Sequence, residues 1–383
     1  MKKAHVLSGI DNLALADSIL LGKRIGLMTN PTGIDHTLQS TIDLLASRYR
    51  LTALFAVEHG IRGDLQAGEK VDSAVDLDTG IPVFSAYGAA SRFTDQMLSA
   101  FDVLVFDIQD VGARFYTYLY SLAYAMQACD RAGKALVVLD RINPLGGLRL
   151  SGTVLDPRFA SFVGDYELPT QYALTIGEFA RYVRDYLDLS LSLTVVPLQG
   201  WRRSMRLDDT DLPWVAPSPN CPDLDAALCY IGTCIFEGTN ISEGRGTTQP
   251  FRLIGAPWLD AGRLEKRMAG VNTPGIHFRR ASFRPTFSKH QGELCGGVQM
   301  HILDRDQADV FTAALLLMDE IRSLSGTAFQ FLSHDGGQTF FIDKLLGTDA
   351  WRTGRLSSQE LTAASREPLA AFARRTLLFR LYD

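Results

Sequence analysis

No stretch of this 383-residue chain reaches the roughly 18 consecutive apolar residues needed to cross a bilayer, so no membrane-spanning helix is expected. Basic charge is not in excess either. The 38 Lys and Arg stand against 43 Asp and Glu, and a formal charge of -5 gives no general attraction to nucleic acid or an anionic membrane surface. Neither is an expected partner. Cysteine is scarce and unpatterned: Cys129, Cys221, Cys229, Cys234 and Cys295 form no CxxC pair, which argues against structural zinc and dithiol chemistry and leaves buried thiols as the reading. GxGxxG and GxxxxGK[ST] are missing, as are HExxH and GxSxG, so neither a cofactor nor a catalytic metal is expected, nor a serine nucleophile elbow. The opening MKKAHVLSGIDNLALADSILLGKRIG has two lysines but no sustained apolar run, since Asp11, Asn12 and Asp17 interrupt it. No secretion leader is read there; a cytoplasmic location is expected for the chain as it stands, with an exported mature form left open.

What is present describes a packed protein. Hydrophobic residues make up 46% and charged residues 21%, and the length favours two domains over one. Over the first 200 residues, short β-branched apolar runs alternate with helical patterns, which predicts a Rossmann-like, doubly wound, mostly parallel sheet. Strands are expected over 24–28, 51–57, 102–107, 135–139 and 193–197, and helices over 37–47, 94–100, 116–131 and 175–187. The last helix opens with Thr175 and Glu178 in capping-box spacing. A Pro-rich segment, LPWVAPSPNCP at 212–222, interrupts the rhythm. The domain junction is expected there, giving an amino-terminal catalytic domain over 1–215 and a smaller α+β domain over 216–383. The second domain should contain a Gly-rich polar loop at 236–251, a strand near 297–303 and a helix near 307–324.

In an open parallel sheet, ligands gather outside the carboxyl ends of the strands. Four successive expected strands deliver polar groups to that edge: Thr29 and Asn30; Glu58 and His59; Asp107, Gln109 and Asp110; Asp140, Arg141 and Asn143. The second of these loops, EHGIRGDLQAGE over 58–69, puts a carboxylate, an imidazole and Arg62 within five residues, with Gly60 and Gly63 allowing a sharp turn. Glu58 directly follows the apolar run LTALFAV, which sets it at the mouth of the sheet in surroundings suited to general-acid work. His59 is either a proton carrier or a supporting histidine.

The loop FEGTNISEGRGTTQPF (236–251) adds Glu237, Asn240, Glu243 and Arg245, a carboxylate-rich and hydroxyl-rich set that suits a sugar. Glycoside hydrolysis generally needs two carboxyl groups, one to protonate the leaving oxygen and one to activate water or attack carbon. Glu58 with Glu237 or Glu243 is the preferred pair, and Asp107 or Asp110 the reserve. Arg114, Tyr116 and Tyr118 in FDIQDVGARFYTY, and Trp201 in GWRRSM, fit sugar recognition without requiring it. If the sugar carries a carboxylate, a guanidinium can grip it with two parallel hydrogen bonds; Arg62, Arg114 and Arg245 are the candidates. The stretch FSKHQGELCGGVQMH (287–301), with Lys289 and His290, either lines the far wall of a cleft or forms a turn.

Seven ordered blocks carry a resemblance: GKRIGLMTNPTGID, FAVEHGIRGDLQAGE, VFDIQDVGARFYTY, LDRINPLGG, PSPN, FEGTNISEGRGTT and FSKHQGELCGGVQ. Together they resemble the NamZ-type exo-β-N-acetylmuramidases, glycoside hydrolase family 171, over nearly the whole chain. The resemblance implies a Rossmann-like domain, a smaller carboxy-terminal domain and an active site in the cleft between them. It implies release of N-acetylmuramic acid from non-reducing ends of peptidoglycan fragments, such as MurNAc-GlcNAc and muropeptides, in cell-wall turnover. The family glutamate of the EHG block falls on Glu58, and Asn220 of the PSPN block joins the expected substrate-binding residues. Two other classes stay open: a metal- or nucleotide-dependent hydrolase or transferase acting on another cell-wall precursor, and a sugar-binding protein without turnover.

Overall fold

The computed structural model describes residues 3–62, 74–86, 93–333 and 335–383. A seven-stranded sheet organises the amino-terminal half. Its strands are β1 (Arg24–Thr29), β2 (Arg50–Ala56), β3 (Ala74–Val75), β4 (Pro82–Ser85), β5 (Val103–Asp107), β6 (Ala135–Leu139) and, after a short β7 (Ser151–Val154) and β8 (Pro169–Gln171) hairpin, β9 (Leu193–Val196). The order is β3-β4-β2-β1-β5-β6-β9, parallel throughout except for the edge strand β3. The chain therefore runs outward from β1 in one direction and then from β5 in the other, with the topological switch between β1 and β5.

Alternation along the strands explains why both faces are covered. Ile25, Leu27, Val103 and Val105 point to one side, where Ile42 and Leu45 of the Thr41–Arg48 helix and Leu13 and Leu20 near the amino terminus pack on them. Met28, Phe55, Leu104 and Phe106 point to the other side, against Leu119, Leu122 and Met126 of the Tyr118–Arg131 helix and Phe179 and Val183 of the Ile176–Tyr186 helix. A strand buried on both faces needs an unbroken apolar run, which is what VLVFD and ALVVL supply. The Thr175 capping box forms as expected: the Thr175 hydroxyl accepts from the Glu178 amide at 3.1 Å, and the Glu178 carboxylate accepts from the Thr175 amide at 3.0 Å.

Residues 212–222 are irregular, and a different architecture follows. Strands β10 (Leu253–Ala256), β11 (Ile276–Phe283) and β12 (Cys295–Ile302) form an antiparallel sheet in the order β10-β12-β11. The Ala261–Ala269 helix packs on β11 and β12, and the Val310–Ser325 helix packs on the Leu224–Thr233 helix. One hydrophobic cluster runs without interruption from the inner face of the large sheet into this half. The tail returns to the first half: the Tyr382 hydroxyl donates to Asp140 at 2.5 Å and the Leu381 amide to Glu178 at 2.9 Å. All five cysteines are buried free thiols. Among the described residues, no helix is long and apolar enough to cross a membrane.

Candidate active site

The topological switch, where the strand-edge rule points first, is occupied by the chain itself. The Asp107 carboxylate at the end of β5 is fully buried and takes Arg141 in a two-point ion pair, Nε to Oδ1 at 2.6 Å and a terminal nitrogen to Oδ2 at 2.9 Å. Thr41 donates to the same carboxylate, and Arg141 also reaches the Ile34 carbonyl at 2.9 Å. Residues 30–41 thereby fold over the crevice. What remains is a void of about 30 Å³ beside Thr32, Gln109 and Arg141, room for little more than a water. Gln109 is spent on the Asp110 and Ile142 carbonyls. Asn30 is buried, its side-chain Oδ1 accepting from the Thr32 amide and hydroxyl.

The open space lies one strand over, at the end of β2, and measures about 580 Å³, the size of a small-ligand site. Glu58, His59, Tyr116, Asn220, Glu237, Glu243 and Arg245, seven of the residues singled out by sequence, line it together. Glu58 is half-buried where β2 runs out, and Thr117 donates its hydroxyl to Glu58 Oε2 at 2.6 Å. Thr117 is the N-cap residue of the Tyr118–Arg131 helix, yet its side chain makes no capping bond, so the hydroxyl serves the carboxylate instead. His59 is buried with φ at +73°, a left-handed conformation costly for a residue with a Cβ and one that collects at functional sites. Gly60 follows at +77°, and its amide closes the turn on the Val57 carbonyl at 3.0 Å.

The opposite wall comes from the carboxy-terminal half. Glu237 sits on the Cys234–Gly238 turn that continues the Leu224–Thr233 helix, and Glu243 on the irregular loop after it. That loop is pinned twice. Asn240 bridges the Ala328 carbonyl and the Gln330 amide at 2.8 and 2.9 Å, and Ser242 pairs with Gly255 of β10. The charges form a chain: Glu237 to Arg245 at 2.7 Å, Arg245 to Glu243 at 3.4 Å, Glu243 to Lys289 at 2.7 Å. Two carboxylates hold the Arg245 guanidinium charged and push its pKa far upward against the opposing effect of burial. Beneath the charges the rings of Tyr118, Tyr116, Tyr230 and Phe251 follow one another edge to face at 4.9, 5.9 and 4.6 Å, joining the two halves of the molecule under the cavity.

Other expected residues stand elsewhere. Asn240 holds the loop rather than lining the space. Arg62, half-exposed, pairs with Asp76 and Asp78 at 2.7 Å each, and the rest of its loop, from Gly63 through Glu69, lies outside the described residues. Arg114 is fully buried and donates to the carbonyls of Thr153, Leu168 and Leu345 at 2.6, 2.8 and 2.7 Å. Asp140, buried at the start of the Ile176–Tyr186 helix, accepts from Arg141, Thr175, Gly177 and Tyr382. Asp110 accepts from Tyr172 and from the Gly112 amide. These contacts are internal, so the reserve carboxylates Asp107 and Asp110 do not reach the cavity wall. Among the described residues, Asp11, Asp35 and His36 form a grouping with ligand atoms within 4.8 Å of one another, outside that wall. Lys289, named in the FSKHQ stretch as either far wall or turn, lines the cavity, and so do Thr117 and Tyr230, which sequence reasoning did not single out.

A family model described as "Exo-beta-N-acetylmuramidase NamZ, N-terminal" matches residues 25–225, and its C-terminal counterpart matches 228–382. The chain belongs to the NamZ family. It is 49% identical over 356 residues to the peptidoglycan beta-N-acetylmuramidase NamZ of Bacillus subtilis (strain 168), covering 92% of this chain and 84% of that relative. Two crystal structures of DUF1343 family proteins from Bacteroides fragilis share the NamZ-type fold: one at TM-score 0.89 and 34% identity, the other at 0.77 and 29%, each over 99% of both chains.

Proposed function

We propose that this chain is an exo-acting β-N-acetylmuramidase that removes N-acetylmuramic acid from the non-reducing ends of peptidoglycan fragments, such as MurNAc-GlcNAc and muropeptides, in cell-wall turnover. The observation that carries the reading is Glu58: a half-buried carboxylate oriented by Thr117, facing a sugar-sized cavity in a NamZ-family chain. Glu58 is the essential carboxyl group, with buried His59 beside it as the adjacent proton-carrying group. Glu237 is the better second carboxyl. It keeps partial exposure to the cavity, with 22% of its side chain accessible, whereas Glu243 keeps 2% and is gripped by two cations. Tyr116 and Asn220 contact the sugar.

Hydrolysis of para-nitrophenyl β-N-acetylmuramide by wild type and Glu58→Gln, with and without chelator, tests this. Wild type should release nitrophenol regardless of chelator, and the folded variant should be slower by about 10²–10⁴-fold. Near-normal rates from Glu58→Gln would remove Glu58 from its role, and no release by folded wild type would end the muramidase reading.

A further inference from the structure

The described residues lining the cavity include two basic side chains, Arg245 and Lys289, and both are already paired. Lys289 Nζ lies 2.7 Å from Glu243 and donates to the Phe236 and Ile241 carbonyls at 2.8 Å each. Arg245 is held from two sides by contacts of different kinds. Its Nε lies 3.4 Å from Glu243, which is buried at the back. Its terminal nitrogen takes a single oxygen of Glu237 at 2.7 Å, on the side that faces the cavity. The contrast with Arg141 is instructive, since Asp107 occupies that guanidinium with both oxygens and is fully buried. The Glu237 contact is the weaker and more accessible one.

N-acetylmuramic acid brings a lactyl carboxylate into this space. Without rearrangement it would meet Glu58, Glu237 and Glu243 against two neutralised cations, and like charges in a partly desolvated site repel. Resting on the muramidase reading above, we infer that the lactyl carboxylate exchanges with Glu237 on Arg245, so that the substrate's own charge takes the guanidinium and releases Glu237. The exchange conserves the number of ion pairs, which offsets the cost of desolvating the incoming carboxylate, and a ligand using both oxygens gains the two-point geometry Glu237 lacks. The released carboxyl group stays beside buried groups: burial, then the charge of Glu237, pushes the Cys234 thiol well above its usual range. Freed from the guanidinium, the Glu237 carboxyl group can turn toward the bound sugar, into the space it already lines. A terminal sugar without the lactyl acid leaves Glu237 locked, so recognition of the acid and preparation of the second carboxyl are one event.

Calorimetric titration of wild type, Glu237→Gln and Arg245→Gln with N-acetylmuramic acid and with its neutral lactyl amide tests the exchange. Wild type should prefer the acid. Glu237→Gln removes the competitor and should tighten the acid about tenfold while leaving the amide within about twofold. Arg245→Gln should abolish the acid-over-amide difference. The inference is overturned if Glu237→Gln leaves acid binding unchanged or tightens acid and amide alike, or if a folded Arg245→Gln keeps the preference; should Arg245→Gln not fold, the Glu237→Gln comparison decides alone. Turnover of the aryl substrate by wild type separates the two levels. Its absence removes the muramidase reading, whereas turnover with a flat Glu237→Gln response removes only the exchange.

Discussion

Asp110 was singled out in the sequence as a strand-end carboxylate, and its contacts make it a stability group instead. Burial pushes its pKa up to about 7, against the hydrogen bonds from Tyr172 and the Gly112 amide that favour the charged form. Among the described residues its Oδ1 has no hydrogen-bond partner, which leaves a charge on that oxygen uncompensated. The sign follows from linkage. Below about pH 4 the side chain is protonated whether the chain is folded or not; as pH rises toward 7 the unfolded chain loses its proton first, so stability falls across that window, on the order of a few kcal/mol. Asp110→Asn cannot ionise. The melting-temperature difference between variant and wild type should move in the variant's favour from about pH 4 to pH 7 and level off above that. Parallel pH profiles for the two proteins would show that Asp110 is not held protonated. Sequence could deliver Asp110 to the correct edge of the sheet, but not reveal Tyr172, 62 residues away, as the group that would occupy it.

At the scale of elements, the far wall depends on two loops stitched edge to edge. The Thr286 amide and hydroxyl both donate to the Gly246 carbonyl, at 2.8 and 2.9 Å, and this holds residues 287–289 where Lys289 can clamp Glu243. Gly246 has φ at +80°, and a Cβ there would lie 2.5 Å from the Phe287 carbonyl oxygen, so a side chain meets both strain and a backbone clash. Gly292 has a similar φ of +76° but nothing within 4 Å of its would-be Cβ. Gly246→Ala should therefore lower kcat/KM about tenfold or more, whereas Gly292→Ala should lose only the roughly 1 kcal/mol of backbone strain and keep its kinetics. Equal kinetics for the pair would mean that the stitch does not position the charge chain. Five of the seven strands of the large sheet were legible because apolar, β-branched runs encode burial locally; the short β3 and β4 at its edge carry no such run and were not expected. Both wall loops were picked out by their residue types, but their joining was not legible, since it arises where 236–251 meets 286–290 and no local periodicity marks that meeting.

For the molecule as a whole, the question is what holds the halves in register around the cavity. The aromatic row from Tyr118 to Phe251 crosses on one side, the returning tail at Leu381 and Tyr382 on another, and Arg114 in the interior. Arg114 ties β7, the residue before β8 and the Phe341–Leu346 helix through three carbonyls, with no carboxylate among them. Burial lowers its pKa to about 10, still charged at neutral pH. From sequence it read equally well as a carboxylate grip, because an arginine after a strand looks the same whether its partners are a ligand or carbonyls as much as 231 residues distant. Arg114→Met keeps much of the volume but strands three buried carbonyls, so about 3–5 kcal/mol of stability should be lost. Thermal unfolding of the variant should show that loss, while the protein that remains folded keeps the wild-type preference for N-acetylmuramic acid over its lactyl amide, since Arg114 does not line the cavity. A variant that melts like wild type yet loses the preference would return Arg114 to substrate recognition and take the structural role away.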